Sequence, residues 1–280
     1  MDHVKRAIGE SQGLGLTPIA PTVVLESSAS PEAAQALAMA ADATSLAEKI
    51  GLAIVGTGSF WSQGRLLDDY VGQVAQLRPS VVMLTVMRSQ LDYPPAAGRA
   101  EVSGLCRSVY SLSRRTEVIV QHSDLFGLPA LAAGATAIGT GWDLRQRIAA
   151  ETAYIAATRI LRSGQRVTYR SLYGALRRRP AEALYARNRV LSDQLVPGPL
   201  PLGPLGHWEH HIGTLDLLAT AATFQPQPRD RVVGLRAAYA AALAEFGRVD
   251  RLIQPRSPAA ASWIQPVDAG LGDFASGEGW

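Results

Sequence analysis

Five short apolar runs recur through the first 140 residues, and polar residues or glycines follow each of them. The runs are continuous rather than alternating, which is typical of strands whose two faces are both buried in a parallel sheet. The predicted strands are Thr22–Leu25, Leu52–Val55, Val81–Val86, Glu117–Val120 and Ala135–Ile138.

Helical patterns separate these runs. Ser30 and Pro31 indicate a helix start, because serine caps the first backbone amides and proline is tolerated at the first helical position. Gly51 is expected to end that helix. The predicted helices are Pro31–Ile50, Gln63–Leu77, Glu101–Leu112, Leu128–Ala133 and Asp143–Leu161.

The regular succession of strand and helix over residues 1–165 predicts an α/β fold. We expect an irregular or incomplete (β/α) barrel of the TIM type with a C-terminal helical segment, because polar residues stand at all five strand ends. A flavodoxin-like doubly wound sheet is the alternative that the same succession allows.

Residues 166–254 have a different pattern, in which prolines and glycines interrupt segments of helical spacing. We expect a helical C-terminal region packed on the barrel-like domain. A Pro/Gly-rich tail, residues 255–280, is expected to be ordered only where it docks. The predicted helices of this part are Arg166–Leu176, Glu182–Leu195, His207–Thr223 and Arg231–Phe246.

Composition bears on the cellular compartment. Cys106 is the only cysteine, so an internal disulfide is excluded. The segment Met1–Glu10 is charged and lacks the apolar core of a secretion signal. Together these features predict a cytoplasmic protein. No run of about 18 uncharged apolar residues is present, so no membrane span is expected, and no motif indicates a cofactor.

Candidate catalytic residues follow the predicted strands. In a parallel α/β fold, ligands bind beyond the carboxyl ends of the strands. Glu26, Arg88, His122 and Asp124 lie there, and they could act as general base, orienting acid and anion clamp. The alternative is structural, with Asp124 capping a short helix and His122 hydrogen-bonded within its loop.

A second set of strand-end residues predicts substrate binding. Thr57 and Ser59 follow the second strand, and Gly139, Thr140 and Gly141 follow the fifth. The backbone amides of Gly139–Gly141 could bind a phosphate or a carbonyl oxygen, because a helix is expected to start just after them. Asp143 would compete for those amides as a helix cap.

Arginines are concentrated in one stretch. Residues 143–189 hold eleven arginines and three acids. Arg170, Arg177, Arg178 and Arg179 stand among the tyrosines Tyr169, Tyr173 and Tyr185, a combination that suits contacts to phosphates and bases. RNA or DNA is therefore a predicted partner. Alternatively, these charges are the solvated faces of helices, or they bind an acidic protein partner or a second copy of the chain.

Three histidines lie close together after a Pro/Gly-rich segment. His207, His210 and His211 have the spacing i, i+3, i+4 of one helix face, which can bind zinc. No cysteine lies nearby and the segment is not an HExxH motif. We therefore expect a solvent-exposed cluster at a helix start rather than a metal site.

Two segments carry a family resemblance. TEVIVQHSDLFGLPALAAGATAIGTGWDLRQRI (116–148) and RVTYRSLYGALRRRPAEALYAR (166–187) resemble the late barrel strands, and the helix before the zinc motif, of the tRNA-guanine transglycosylase superfamily and its diverged bacterial relatives. His210 or His211 resembles that family's last zinc ligand. The resemblance implies a TIM barrel, nucleobase exchange at a glycosidic bond, and RNA or DNA as partner.

The chain departs from that family at its metal site. No cysteine lies between Arg187 and His207, and no acid matches the family's nucleophilic aspartate. The resulting hypothesis is a diverged transglycosylase-like barrel protein that acts on or alongside nucleic acid. Two alternatives stay open: a non-catalytic scaffold or partner subunit, and a barrel enzyme that uses His122, Asp124 and Arg88 on a small phosphorylated or carboxylated substrate.

Overall fold

A five-stranded parallel sheet organises the first half of the chain. The computed structural model describes residues 2–91, 93–152, 165–196, 198–253 and 259–280. The strands of the sheet are β1 (Val24–Leu25), β2 (Gly51–Thr57), β3 (Val81–Met87), β4 (Glu117–Gln121) and β5 (Ala137–Ile138). They lie side by side in chain order, so that Ile54, Leu84, Val120 and Ile138 form one row across the sheet.

The prediction of an α/β fold with a parallel sheet is confirmed, and each predicted strand coincides with an observed one to within two residues. The strand order 1-2-3-4-5 differs from the order 2-1-3-4-5 of a flavodoxin-like sheet. In the described part of the chain β1 pairs with β2 and β5 with β4, and the sheet is open between these two edges.

Helices connect the strands and continue to the C-terminus. The helices before residue 150 are α1 (Asp2–Gly13), α2 (Pro31–Leu46), α3 (Gly58–Trp61), α4 (Arg65–Gln76), α5 (Arg99–Ser113), α6 (Leu128–Ala133) and α7 (Leu144–Arg147). Those after residue 177 are α8 (Arg178–Arg187), α9 (Arg189–Leu195), α10 (Gly203–Thr223), α11 (Pro228–Asp250), α12 (Ala259–Ser262) and α13 (Ile264–Gly277).

The two faces of the sheet differ in burial. Leu52, Leu84 and Val120 point to one face and are fully buried or nearly so, because successive right-handed crossovers place their helices on the same side. Phe60 of α3 packs over Gly56 on this face, where an added Cβ would lie 2.2 Å from the ring. The opposite face, with Val55, Met83 and Ile119, is only partly buried among the described residues. The expectation that both faces are buried is therefore met on one face only.

The segment after residue 165 was wrongly predicted as a helix. It forms an antiparallel hairpin of β6 (Arg166–Tyr169) and β7 (Gly174–Arg177), joined by a 3-10 turn. Tyr173 in the turn has φ 46°, a left-handed conformation that ends helical continuation. The next residue, Gly174, lies against the Phe246 ring, so tertiary packing overrides the helical pattern here.

Two other predicted helix bounds are wrong. The first long helix ends at Leu46, and Gly51 opens β2 instead of capping it, with its amide bonded to Pro18 O at 2.8 Å. The helix predicted from Asp143 is only α7, since residues Ala149–Glu151 then pair with Arg88. Residues 153–164 of that predicted helix lie outside the described residues.

The C-terminal tail packs on the first half of the chain. Helix α13 crosses α5 where Gly270 approaches Arg99 O, at a distance that leaves an added Cβ only 2.4 Å away. Arg99 also forms an ion pair with Asp273, and Trp280 stacks edge-on against Tyr110. The tail therefore contains a docked helix despite its glycines and prolines. Across the described residues, none of the helices combines the length and apolar character that crossing a membrane requires.

We predict that Gly104→Ala destabilises the fold, because an added Cβ would lie 1.9 Å from Trp61 O at the contact between α5 and α3. Overpacking of this kind costs about 2 kcal/mol or more. Gly72 inside α4 is the matched control, since an added Cβ meets no atom within 4 Å. Gly72→Ala should raise the free energy of unfolding by about 0.5–1 kcal/mol. Urea denaturation measures both changes, and equal effects would contradict this packing.

Candidate functional site

The Asp124 carboxylate, at the carboxyl end of β4, collects four hydrogen bonds. Its Oδ1 accepts from Tyr93 Oη at 2.8 Å and from the Leu125 amide at 2.7 Å. Its Oδ2 accepts from Thr140 Oγ1 at 2.6 Å and from His211 Nε2 at 2.8 Å. The side chain is fully buried, so these donors replace the water that a charged carboxylate needs.

The local backbone explains how Asp124 reaches this position. His122 and Asp124 both adopt left-handed φ angles of 49° and 47°, which histidine and aspartate tolerate better than most residues. This turn directs the amides of Ser123 and Asp124 to Gly139 O, at 2.9 and 3.1 Å. Gly139 lies so close to the turn that an added Cβ would be 3.1 Å from Gln121 Cα.

His211 connects Asp124 to the C-terminal part of the chain. A carboxylate oxygen only accepts, so Nε2 carries the proton in this contact. On the other side of the ring, Nδ1 lies 2.7 Å from Thr168 Oγ1. The chain Thr168–His211–Asp124 therefore links β6 and α10 to the ends of β4 and β5.

The other two histidines of the cluster also contact β6. His207 Nδ1 lies 3.0 Å from Arg166 O, and His210 Nε2 lies 2.7 Å from Thr168 O. His207 and His210, three residues apart on the helix, thus contact the carbonyl groups of Arg166 and Thr168, two residues apart on the strand. The expectation of a solvent-exposed cluster is wrong, because His207 and His211 are buried. Within the described ranges no group of three or more His, Cys, Asp or Glu side chains is placed to bind a metal.

Burial and hydrogen bonding act in opposite directions on Asp124. Burial alone would raise the pKa of its carboxyl group, but the hydrogen bond and charge of His211, the Thr140 hydroxyl and the charge of Arg147 lower it below 3.8. Burial, followed by the neighbouring carboxylate, raises the pKa of the Tyr93 hydroxyl well above 10.0. Asp124 is therefore an anion and Tyr93 a neutral donor at neutral pH.

Arg88 forms a buried ion pair with Glu101. Its Nη1 and Nη2 donate to the two carboxylate oxygens of Glu101 at 2.7 and 2.5 Å, and its guanidinium lies 4.8 Å from the Phe126 ring centroid. Glu101 is 4% exposed and was not predicted as a site residue. In the sequence, an acid in the first turn of a helix is explained by the helix itself, so nothing there indicated an ion pair with Arg88. In the structure, Gly58 lies against the Glu101 carboxylate, where an added Cβ would be 2.6 Å away.

The residues predicted at the first two strand ends lie on the surface. Thr57 Oγ1 and Ser59 Oγ are 2.7 Å apart, and Ser59 Oγ donates to the backbone carbonyl of Glu26 at 3.3 Å. The Glu26 side chain is exposed. These residues form a polar edge next to β1 and β2.

Some of the backbone amides after β5 have partners within the protein. The Gly139 amide donates to Val120 O at 2.7 Å. Gln146 Oε1 accepts from the amides of Trp142 and Asp143 at 2.6 and 3.3 Å. His122 Nδ1 lies 3.0 Å from Gln146 O, which belongs to α7 and not to the loop of His122 itself. Gln146, which sequence reasoning missed, thus binds the two amides that follow the predicted segment Gly139–Gly141.

A cavity of about 330 Å³ opens at the strand ends. It contains Thr57 and Arg88 of the predicted residues, and adds Ser89, Gln90 and Glu151. His122, Asp124 and Thr140 are not among the residues that line it. Because Glu101 neutralises Arg88, Glu151 leaves this cavity with an excess of negative charge.

The four predicted nucleic-acid-binding arginines lie on the hairpin and α8, and all are exposed. Arg178 donates to Glu182 at 2.7 Å and to Gln165 at 2.8 Å. Among the described residues, Arg170, Arg177 and Arg179 have neither an ion-pair nor a hydrogen-bond partner for their side chains. The hairpin and the start of α8 thus expose three guanidinium groups that have no acidic partner among the described residues.

Comparison of the chain with protein-family models, with curated proteins and with solved structures found no match. The resemblance to the transglycosylase superfamily therefore stays a prediction.

We predict that Asp124→Asn lowers the free energy of unfolding by about 3 kcal/mol at pH 7, because it removes one partner of a buried charged network. The lowered pKa of Asp124 contributes stability that is present above pH 3.8 and is lost as the pH falls through the folded-state value. The difference between wild type and variant should therefore shrink below about pH 4. Denaturant unfolding across the acid range measures it.

Asp68→Asn is the control, since its pair with Arg107 is partly exposed and such pairs contribute about 1 kcal/mol or less. If Asp124→Asn lowers the free energy of unfolding no more than Asp68→Asn does, the buried carboxylate does not have this stabilising role.

Proposed function

We propose that this protein binds nucleic acid through the β6–β7 hairpin and α8. The observation that carries the proposal is the charge of residues 165–196, which contain seven arginines, Glu182 and Asp193. Their net charge is +5, against +3 for the whole chain, so the remainder carries −2. The net positive charge of the chain therefore comes from this region.

Some arginines of this region are paired with acids, and others are free to contact a phosphate. Arg178 and Arg189 form i, i+4 ion pairs with Glu182 and Asp193, which uses both acids. Arg177 ends β7 and Arg179 lies in the first turn of α8. Guanidinium groups bind phosphates in bidentate fashion, and the release of counterions from the nucleic acid adds to the affinity.

Aromatic groups of the region support the same class of partner. Tyr185 lies under the Arg189 guanidinium, 4.1 Å from ring centroid to Cζ, and both Tyr173 and Tyr185 are partly exposed. Such rings can stack on bases of a single strand. Tyr169, the third tyrosine of the predicted pattern, is fully buried and is not part of this surface.

The proposal is for binding, and not for base exchange. Asp124, the predicted catalytic acid, is fully buried and accepts four hydrogen bonds, so a substrate has no open carboxylate oxygen to approach. The parallel strands in chain order are those expected of an incomplete TIM-like barrel, and we include that fold and a cytoplasmic location in the proposal.

The alternatives have less support. A phosphorylated or carboxylated substrate fits the strand-end cavity poorly, because Glu101 and Glu151 outweigh Arg88 there. A protein partner would find exposed apolar side chains on the last helices, at Leu217, Phe224 and Val233. Single exposed apolar residues are common on proteins, and the charge asymmetry is the stronger indication.

We predict that the protein binds labelled single-stranded RNA at low salt and that Arg177→Ala/Arg179→Ala weakens binding by about tenfold, since two phosphate contacts are lost. The slope of the logarithm of the binding constant against the logarithm of salt concentration should become shallower by about 1.4, since each phosphate contact to a single strand contributes about 0.7. Fluorescence anisotropy over a salt series measures both quantities, with double-stranded DNA as a second ligand.

Arg114→Ala/Arg115→Ala is the matched control, because it removes two exposed arginines from the end of α5. This variant should retain most of the affinity. An equal loss in both variants would show that total charge, and not the hairpin surface, determines binding. No binding of either nucleic acid at low salt would exclude the proposal.

A further inference from the structure

A second cavity, of about 600 Å³, lies between α9 and α10 above the turn of the hairpin. Arg170 and Tyr173 come from the turn, Leu195 from the end of α9, and His210 and Leu217 from α10. It shares no residue with the strand-end cavity. Its volume is within the range of small-molecule sites in proteins.

The walls of this cavity are mostly apolar. Leu195 and Val196 form a buried side, while Leu217 is half exposed at the opening. The Tyr173 ring is fixed by an edge-to-face contact with Tyr239, with ring centroids 5.3 Å apart. An apolar ligand body would therefore find a preformed surface here.

The polar groups of the cavity favour a negative charge. Among the described residues none that lines it is acidic, and Arg170 has no acidic partner. A ligand carboxylate could accept two hydrogen bonds from this guanidinium. One cation at the opening of an apolar cavity is the arrangement expected for a ligand with one anionic group.

His210 adds a hydrogen-bonding group without adding charge. Its Nε2 donates to Thr168 O, since a carbonyl only accepts. Burial lowers the pKa of its ring below 6.5, and the neighbouring His211 and His207 contribute in the same direction. The ring is therefore neutral at pH 7, and its Nδ1 has no hydrogen-bond partner among the described residues. A hydroxyl group on the ligand could donate to Nδ1.

We propose that this cavity binds a small monoanion with an apolar body, such as a medium-chain carboxylate, with the head at Arg170 and the chain against Leu195 and Leu217. The cavity adjoins the proposed nucleic-acid surface at Arg170 and Tyr173, but Arg177 and Arg179 do not line it.

The test uses octanoate and its neutral analogue octan-1-ol as probes, with the full-length protein and binding measured by ligand-observed NMR. Arg170→Gln should weaken octanoate binding about tenfold, the effect of losing a charged hydrogen bond, and leave octan-1-ol within about twofold. Ser171→Trp should abolish binding of both, because Ser171 is an exposed residue of the lining and the indole would fill the opening.

Arg178→Gln is the matched control, since it removes the same charge from a residue outside the cavity, and it should leave octanoate binding unchanged. Arg177→Ala/Arg179→Ala should also leave it unchanged, which separates this test from that of nucleic-acid binding. Thermal unfolding verifies that each variant is folded.

Absence of octanoate binding at millimolar concentration would overturn the proposal. So would an equal loss in Arg170→Gln and Arg178→Gln, which would indicate a general charge effect. If Ser171→Trp still binds both probes, the probes bind elsewhere on the protein, and this result would also overturn the proposal.

Discussion

The buried carboxylate of Asp124 joins segments that are far apart in the chain. A charged group without water must be fully hydrogen-bonded, and this one draws donors from distant parts of the chain. Tyr93 comes from the loop after β3, Thr140 from the end of β5, and His211 from α10. Through Thr168 the same network extends to β6. The sheet edge, the hairpin and a C-terminal helix are thereby fixed to one another.

The surfaces proposed to bind ligands follow from this arrangement. With His211 bonded to Asp124, its neighbours His207 and His210 bond to the carbonyl groups along β6. The hairpin therefore lies against α10 with its turn at the cavity between α9 and α10. Its second strand leads directly into α8, so Arg177 and Arg179 are exposed. A substitution of Asp124 should accordingly alter the positions of the hairpin and of the cavity between α9 and α10, although Asp124 is part of neither.

The strand ends use their polar groups for internal bonding. Glu101 neutralises Arg88, Gln146 accepts from the amides of Trp142 and Asp143, and His122 is bonded to the Gln146 carbonyl of α7. Ligands of parallel α/β folds bind beyond the carboxyl ends of the strands, but here most of the groups that would recognise an anion already have protein partners. The unsatisfied charge lies instead on the hairpin and α8.

The five parallel strands and the helices between them could be predicted from the sequence, because continuous apolar runs and local capping residues specify such elements within a few residues of chain. The sequence also located the arginines. Tertiary packing was needed to show that residues 166–177 form a hairpin, where Gly174 lies against Phe246, and that one face of the sheet is only partly buried. It alone paired Asp124 with His211, which lie 87 residues apart. Contacts at that separation leave no periodicity in the sequence, since each partner occupies a locally ordinary position and only packing brings the two together.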